Sequence, residues 1–272
     1  MPDGYAQGCG ASRTLPLVRR AAGAPPAADR RRVPEEAPVA LVHDAATTAV
    51  MMATPADLED FAVGFSLTEG LVETPDQISG LEVVETPLGY EARVWLAPGR
   101  SAALAARRRR LAGPTGCGLC GVESLEAAVQ PPRRVGEGLR IAAAEVHAAL
   151  AALTAAQALG AATRAVHAAA WWRPGAGLVA VREDVGRHNA LDKLAGALAR
   201  AGALADPGVV VLTSRVSVEM VQKAAAIGAQ IVVAVSAPTA LAVRTAEAAG
   251  LTLAAVARAD GFEVFTHSER IL

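Results

Sequence analysis

Val209-Val-Val-Leu-Thr-Ser-Arg-Val-Ser-Val-Glu-Met-Val-Gln-Lys-Ala-Ala-Ala-Ile-Gly-Ala-Gln-Ile-Val-Val-Ala-Val-Ser-Ala-Pro-Thr239 decides the fold class. Its short apolar runs, Val209–Leu212 and Ile231–Val235, read as strands, with a helix over Val218–Ile227 between them. The rhythm extends both ways: strands at Leu178–Arg182 and Leu253–Val256, helices at Ala190–Ala201 and Thr239–Ala249. Strand–helix alternation at this spacing predicts an α/β fold whose mostly parallel or mixed sheet is covered on its faces, with alanine-rich helices sitting close to it. In such folds functional groups gather just beyond the C-terminal ends of the strands. The polar residues there are Glu183-Asp184, Thr213-Ser214-Arg215 and Ser236. Ala224–Val243 is long enough to span a membrane and carries no charge, but Gly228, Gln230, Ser236, Pro238 and Thr239 interrupt it. It reads as buried soluble core, with no membrane partner.

The N-terminal part has a different rhythm. Residues 1–34 show no apolar periodicity and read as a loosely held tail in which Arg30, Arg31 and Arg32 are a solvated charge run. Val39–Val42 and Ala49–Met52 are expected to pair as strands. Thr54 is expected to cap a helix that has Pro55 at its first position and Leu58, Phe61, Ala62 and Phe65 on one face, stopping at Gly70. Leu81–Thr86 and Glu91–Leu96 predict a hairpin. Helices are expected at Ala102–Leu111, Val122–Val129 and, ending at Gly160, Ala142–Leu159. The expected organisation is a tail over 1–34, a small α+β region over 35–140 and an α/β domain over 141–272.

Composition narrows the function classes. The chain of 272 residues is 52% hydrophobic, enough for a large core, and its 26 basic residues against 27 acidic ones give no global pull toward nucleic acid or membrane. Three cysteines (Cys9, Cys117 and Cys120) form no disulfide framework, and no secretory signal follows Met1, so a reducing cytoplasm is the expected location.

Cys117-Gly-Leu-Cys120, flanked by Gly116 and Gly121, is the sharpest chemical feature. Two sulfurs this close can share one reaction, and the glycines keep both thiols accessible. Redox exchange or sulfur transfer through a persulfide competes with half of a zinc site and with two small core residues. Zinc needs about four ligands, and the five histidines are scattered rather than spaced as ligands, so no metal site is expected. Arg182-Glu-Asp-Val-Gly-Arg-His-Asn-Ala-Leu-Asp-Lys193 offers Arg187 and His188 near a helix N-terminus for a phosphate or a polar ring edge. Its bland reading is a salt-bridged loop in which Glu183 and Asp184 neutralise Arg182 and Arg187 while Asp192 and Lys193 face solvent or fix the loop. Ser214 and Arg215 repeat the arrangement after the next strand, with Ser217 as helix cap. Arg107–Arg110 can steer an anion toward the cysteines or form a solvated helix face.

From about Glu36 to Leu272 the chain resembles the FdhD family of sulfur carriers required for formate dehydrogenase activity. The resemblance rests on Met51–Phe65, Cys117–Gly121, Arg182–Lys193, Ser214–Lys223, Ser236–Thr239 and the ending Phe262-Glu-Val-Phe-Thr-His267. It implies a homodimer whose larger three-layer domain is similar to the cytidine deaminases without their zinc, beside a small N-terminal domain. It implies a sulfurtransferase that takes persulfide sulfur from a cysteine desulfurase on Cys117, with Cys120 as partner. The acceptor would be a molybdenum (or tungsten) bis-guanine-dinucleotide cofactor bound for formate dehydrogenase or a related molybdoenzyme. Phe262, Glu263, Val264, Phe265, Thr266 and His267 match the cofactor-binding stretch, and Arg187, His188, Ser214 and Arg215 are expected to join them around it. The chain departs from the family pattern at Arg164, where a backbone turn is expected, and at Gly261 and Glu263. Two other readings are a non-catalytic chaperone for the pterin cofactor and its apoenzyme, and a nucleotide-processing hydrolase.

Overall fold

A mixed six-stranded sheet covered on both faces organises the second half of the chain. The computed structural model describes residues 10–100 and 132–272. In chain order the strands are β1 (Ser12–Arg19), β2 (Ala27–Pro34), β3 (Ala37–His43), β4 (Ala46–Ala53), β5 (Ile78–Thr86), β6 (Gly89–Leu96), β7 (His167–Arg173), β8 (Gly177–Asp184), β9 (Val209–Leu212), β10 (Ile231–Ala234), β11 (Thr252–Arg258) and β12 (Gly261–Thr266). The helices are α1 (Leu58–Thr68), α2 (Ala143–Ala156), α3 (Ala158–Thr163), α4 (Arg187–Arg200), α5 (Val218–Ala226) and α6 (Ala240–Ala249).

The large sheet has the order β12-β11-β10-β9-β7-β8. Its parallel centre, β9 to β11, is the alternating segment read from sequence, and antiparallel strands flank it on both sides, which makes the sheet mixed. β9 and β10 are buried along their whole length because both faces are covered. Val210, Leu212, Val232 and Ala234 point toward α4, α5 and α6, while Val209, Val211, Ile231 and Val233 point toward α2. Val135 and Leu139, which the sequence assigns to the smaller region, belong to these same two cores.

A second sheet, β4-β3-β6-β5, packs one face on α1 through Val39, Leu41, Ala92, Val94, Phe61 and Phe65. α1 in turn crosses α4 at backbone contact. A Cβ placed on Gly64 would meet the Asp192 carbonyl oxygen at 1.6 Å, and one on Gly196 would meet that of Asp60 at 1.8 Å. Three ionic groups fasten this crossing. Asp60 receives Arg182 Nη2 (2.6 Å) and Arg200 Nη1 (2.6 Å). Asp192 receives Lys223 Nζ (2.9 Å), which also reaches Glu69 (2.6 Å), and Thr68 Oγ1 donates to it (2.6 Å). Asp184 receives Lys193 Nζ at 2.6 Å, both side chains wholly buried.

Several sequence expectations are corrected here. Residues 12–34 are not a tail but an antiparallel hairpin, β1–β2, exposed on both faces and therefore without an apolar period to read. Thr54 does not cap α1: Asp57 does, at φ 53°, and the Thr54 side chain instead accepts from the backbone N–H of Val185. The helix expected over Ala142–Leu159 breaks at Gln157, because the Glu183 carboxylate takes the N–H groups of Leu159 and Gly160 (2.8 and 2.7 Å). Arg164 does occupy a turn position, closing α3 at φ 57°. Asp192 and Lys193 are buried rather than solvent-facing, and Glu183 and Asp184 neutralise neither Arg182 nor Arg187. The helices expected at Ala102–Leu111 and Val122–Val129 lie outside the described residues. Among the described residues no helix is long and apolar enough to cross a membrane.

Candidate functional site at one end of the large sheet

β8, β9, β10 and β11 all end on one side of the sheet, because two antiparallel steps through β7 restore the direction of β8 to that of β9. α4 starts two residues after β8 and α5 a few residues after β9, so two helix N-termini, each with unpaired N–H groups and positive dipole, face this end. His167, at the start of β7, pairs with Asp184 across the sheet and joins the same group.

Asp184 builds the turn into α4. Its Oδ1 accepts from the Gly186 N–H (2.8 Å) and Asn189 Nδ2 (2.9 Å); its Oδ2 accepts from the Thr54 N–H (3.0 Å) and Lys193 Nζ. Asn189 also donates to the Met52 carbonyl, and Lys193 to that of Thr54. These bonds fix Arg187 and His188 in the first turn of α4 against the loop after β4. The Arg187 Nε and His188 Nε2 are shielded from solvent and have no hydrogen-bond partner among the described residues, and Glu219 stands 4.0 Å from the imidazole. Ser214 is buried and donates to the Arg215 carbonyl, while Arg215 is exposed at the mouth. Ser217 sits at the N-cap position of α5 without a side-chain cap bond. Next to Ser236, Val256 holds φ 53° within β11, a conformation that costs a β-branched residue free energy.

The electrostatics suit an anion. Burial, then the Arg187 guanidinium, holds the His167 imidazole below its ordinary value, with Asp184 opposing. His188 is lowered by burial, then by Arg187 and Lys223, against Glu219 and Glu69. Both rings bind protons more readily in the unfolded chain, so their contribution to stability is complete above the ordinary imidazole value of 6.5 and lost as pH falls through the lower folded values. Urea titrations at about pH 7.5 and about pH 5.5 should show lower stability at the acid value. Replacing both histidines by glutamine should flatten that difference, and an unchanged difference would remove the two rings from its cause.

The residues expected to bind cofactor are only partly brought together. Arg187, His188, Ser214 and Arg215 converge. The ending stretch is strand β12, antiparallel to β11, so Gly261 and Phe262 lie toward this end and Thr266 and His267 toward the other. Phe262 and Val264 pack toward α2, with the Phe262 ring 5.5 Å from His147. Glu263 and Phe265 are exposed on the strand's other side. Thr266 bonds the backbone at Leu251 and Leu253, and His267 stands between Glu247 (3.8 Å) and Glu269 (3.6 Å), surroundings that repel phosphate.

Cys117 and Cys120, like Arg107–Arg110, lie outside the described residues. Sequence reading missed His167 at this end and paired Asp184 with Arg182 or Arg187, whereas its cation is Lys193. Asn189, Lys193, Gly196 and Arg200 recur at i, i+4, i+7 and i+11, one stripe of α4 whose first two members bond the loop after β4 and whose last two meet α1. Among the described residues no group of three or more His, Cys, Asp or Glu is arranged to hold a metal ion.

Comparison with known proteins adds the following. The model of the FdhD/NarQ family matches residues 34–272. The chain is 55% identical to the sulfur carrier protein FdhD of Agrobacterium fabrum, over 91% of this chain and 92% of the relative. It is 51% identical to that of Cupriavidus necator, over 88% and 83%. A crystal structure from Desulfotalea psychrophila, described as a candidate formate dehydrogenase accessory protein, superposes with a TM-score of 0.74 at 26% identity, covering 96% of this chain and 99% of that one.

Proposed function

We propose that this chain, which belongs to the FdhD/NarQ family, is a sulfur carrier that holds sulfur as a persulfide on Cys117 and serves formate dehydrogenase or a related molybdoenzyme. The observation that carries this reading is the convergence of Arg187, His188 and Arg215 at two helix N-termini, in a chain whose Cys117-Gly-Leu-Cys120 motif offers paired thiols. Relatives sharing half of its residues are named for sulfur carriage.

Loading is a sulfur exchange. The Cys117 thiolate attacks the terminal sulfur of a cysteine desulfurase persulfide; the new S–S bond forms on Cys117 as the old one breaks, and the desulfurase leaves as thiolate. Release at the sulfide level uses Cys120, whose thiolate attacks the Cys117 sulfur. A Cys117–Cys120 disulfide forms, and the outer sulfur departs with the electron pair to the metal of the molybdenum or tungsten bis-guanine-dinucleotide acceptor.

That acceptor is the substrate of the reaction. Its phosphates fit a site with an unpartnered Arg187 Nε, the exposed Arg215 fork and two helix N-termini, which together supply charge-assisted donors. The topology similar to the cytidine deaminases, the cytoplasmic location and a homodimer are parts of this same reading.

The test is the intact mass after incubation with a cysteine desulfurase and cysteine. One added sulfur atom on the wild type and none on Cys117→Ala is the expected result. No added sulfur on the wild type favours the chaperone reading, and a loaded Cys117→Ala variant would move the carrier to another cysteine.

A further inference from the structure

The C-terminal ends of β9, β10 and β11 form one continuous surface, because the loops that follow them are bonded side by side. The Val216 N–H donates to the Ala237 carbonyl (3.3 Å) and the Thr239 N–H to the Val216 carbonyl (3.0 Å), so Arg215 stands beside the loop after β10. The Val256 N–H donates in turn to the Ser236 carbonyl (3.3 Å). Charge changes along this row. Arg187 in the first turn of α4 and Arg215 just ahead of α5 mark its cationic end. Residues 235–243, in the middle, carry no charge. At the far end the Arg258 guanidinium turns back onto the carbonyls of Val235 and Ala257. From β9 to β11 is two strand spacings, roughly 10 Å.

Val256 is the anomaly on this row. Ala255 pairs with Glu263 and Arg258 with Gly261, so Val256 and Ala257 together stand opposite the single residue Phe262. This is a β-bulge with one extra residue on β11. The packing shows which residue is extra. Leu253 and Ala255 join the core on the side of α4, α5 and α6, and Ala254 and Ala257 join the core under α2. Val256, half-buried, belongs to neither. It holds φ 53°, a conformation that glycine and asparagine adopt readily and that strains a β-branched residue. A bulge does not require valine, and no core contact offsets the strain. Bulges beside functional sites re-aim a side chain, and strain of this kind clusters where function uses it.

We propose that Val256 is a ligand-contact residue: the bulge presents its isopropyl group to the uncharged ring of a phosphorylated ligand whose phosphates lie at Arg187 and Arg215. The ligand lies across the strand ends, with its phosphates over the starts of α4 and α5 and its ring over β10 and β11. Binding sites commonly combine a few placed polar groups with an apolar wall in this way. An inorganic anion fills only the cationic end, so Val256 selects a nucleotide over free phosphate. The inference rests on the anion site proposed above and adds the apolar half of it, together with the direction in which the ligand runs.

Calorimetric titrations of the full chain with GDP and with pyrophosphate separate the two halves. The wild type should bind GDP at least roughly tenfold more tightly than pyrophosphate. Val256→Gly removes the isopropyl group and the strain together. Its melting temperature should rise by about 2 °C, while GDP affinity falls about five- to tenfold and pyrophosphate affinity stays as in the wild type. Val256→Asn tolerates the left-handed backbone without the freedom of glycine, and should lose GDP affinity alike. A structural role alone would move the melting temperature and neither affinity. Unchanged GDP binding in both variants would therefore overturn the proposal while leaving the anion site standing, and so would equal wild-type affinity for the two ligands. Parallel loss of both ligands would reduce Val256 to shaping the loop and overturn the contact. A wild type that binds neither ligand would overturn the anion site, and this inference with it.

Discussion

Replacing Gly196 by alanine should lower the melting temperature by about 10 °C, which for a chain of this size corresponds to roughly 3–4 kcal/mol. The added Cβ would lie 1.8 Å from the Asp60 carbonyl oxygen and 2.6 Å from its carbon, and both atoms are backbone. No rotamer relieves such a clash, so α1 and α4 must separate. Separation stretches the bonds from Arg200 to Asp60 and from Thr68 to Asp192, so the loss exceeds that of an ordinary overpacked core. Gly64→Ala should behave alike, with its Cβ 1.6 Å from the Asp192 carbonyl oxygen. Gly138 supplies the control: nothing lies within 4 Å of its Cβ position, and alanine there should change stability by less than about 0.5 kcal/mol. Calorimetric melts of the three variants decide it, and a Gly196→Ala protein that melts with the wild type would mean that the helices do not touch as described.

The second large effect concerns the pair at the root of α4. Lys193→Met removes the cation and leaves the Asp184 carboxylate buried, a change that costs about 3–5 kcal/mol in comparable pairs. Asp184→Asn should be at least as damaging. Asp184 accepts four hydrogen bonds, from Gly186, Asn189, Thr54 and Lys193, whereas an amide offers one oxygen and turns an NH2 group toward donors. Combining the two substitutions should therefore not restore stability, in contrast to ion pairs whose only partners are each other. Guanidinium titrations of the two single variants and the double variant form the cycle. A double variant as stable as the wild type would reduce Asp184 to a mere counter-ion.

What could be read from the sequence follows from how blunt each signal is. Val209–Leu212 and Ile231–Ala234 are uniformly apolar because both sheet faces are covered, and the α/β alternation around them was legible at once. β7 was not, since His167-Ala-Ala-Ala-Trp-Trp-Arg173 has the alanine content of a helix and becomes a strand only by pairing with β8 and β9. The hairpin at 12–34 escaped for the opposite reason: exposed on both faces, it has no period. The break after Ala156 is caused by Glu183, 23 and 24 residues away from the N–H groups it holds, a distance no local propensity senses. At the site, Arg187, His188, Ser214 and Arg215 were legible because loops after parallel strands must converge. His267 was misplaced relative to them because the antiparallel direction of β12 is a tertiary fact.

The ionic fastening between α1 and the helices beside it constrains how this protein can be recombined. Thr54, Asp60, Thr68 and Glu69 come from the first hundred residues, and Arg182, Asp184, Asp192, Lys193, Arg200 and Lys223 from the last hundred. A chimera that takes its front from one parent and its back from another separates Asp60 from Arg182 and Arg200 and Glu69 from Lys223, and it parts Thr54 and Thr68 from the rear charge pairs they bond. Such crossovers succeed only between parents that carry the same pairs and the same two glycines, or when the crossover is moved so that α1 travels with α4 and α5. For library design, α1 is therefore a heritable part of the rear half, although the chain writes it in the front.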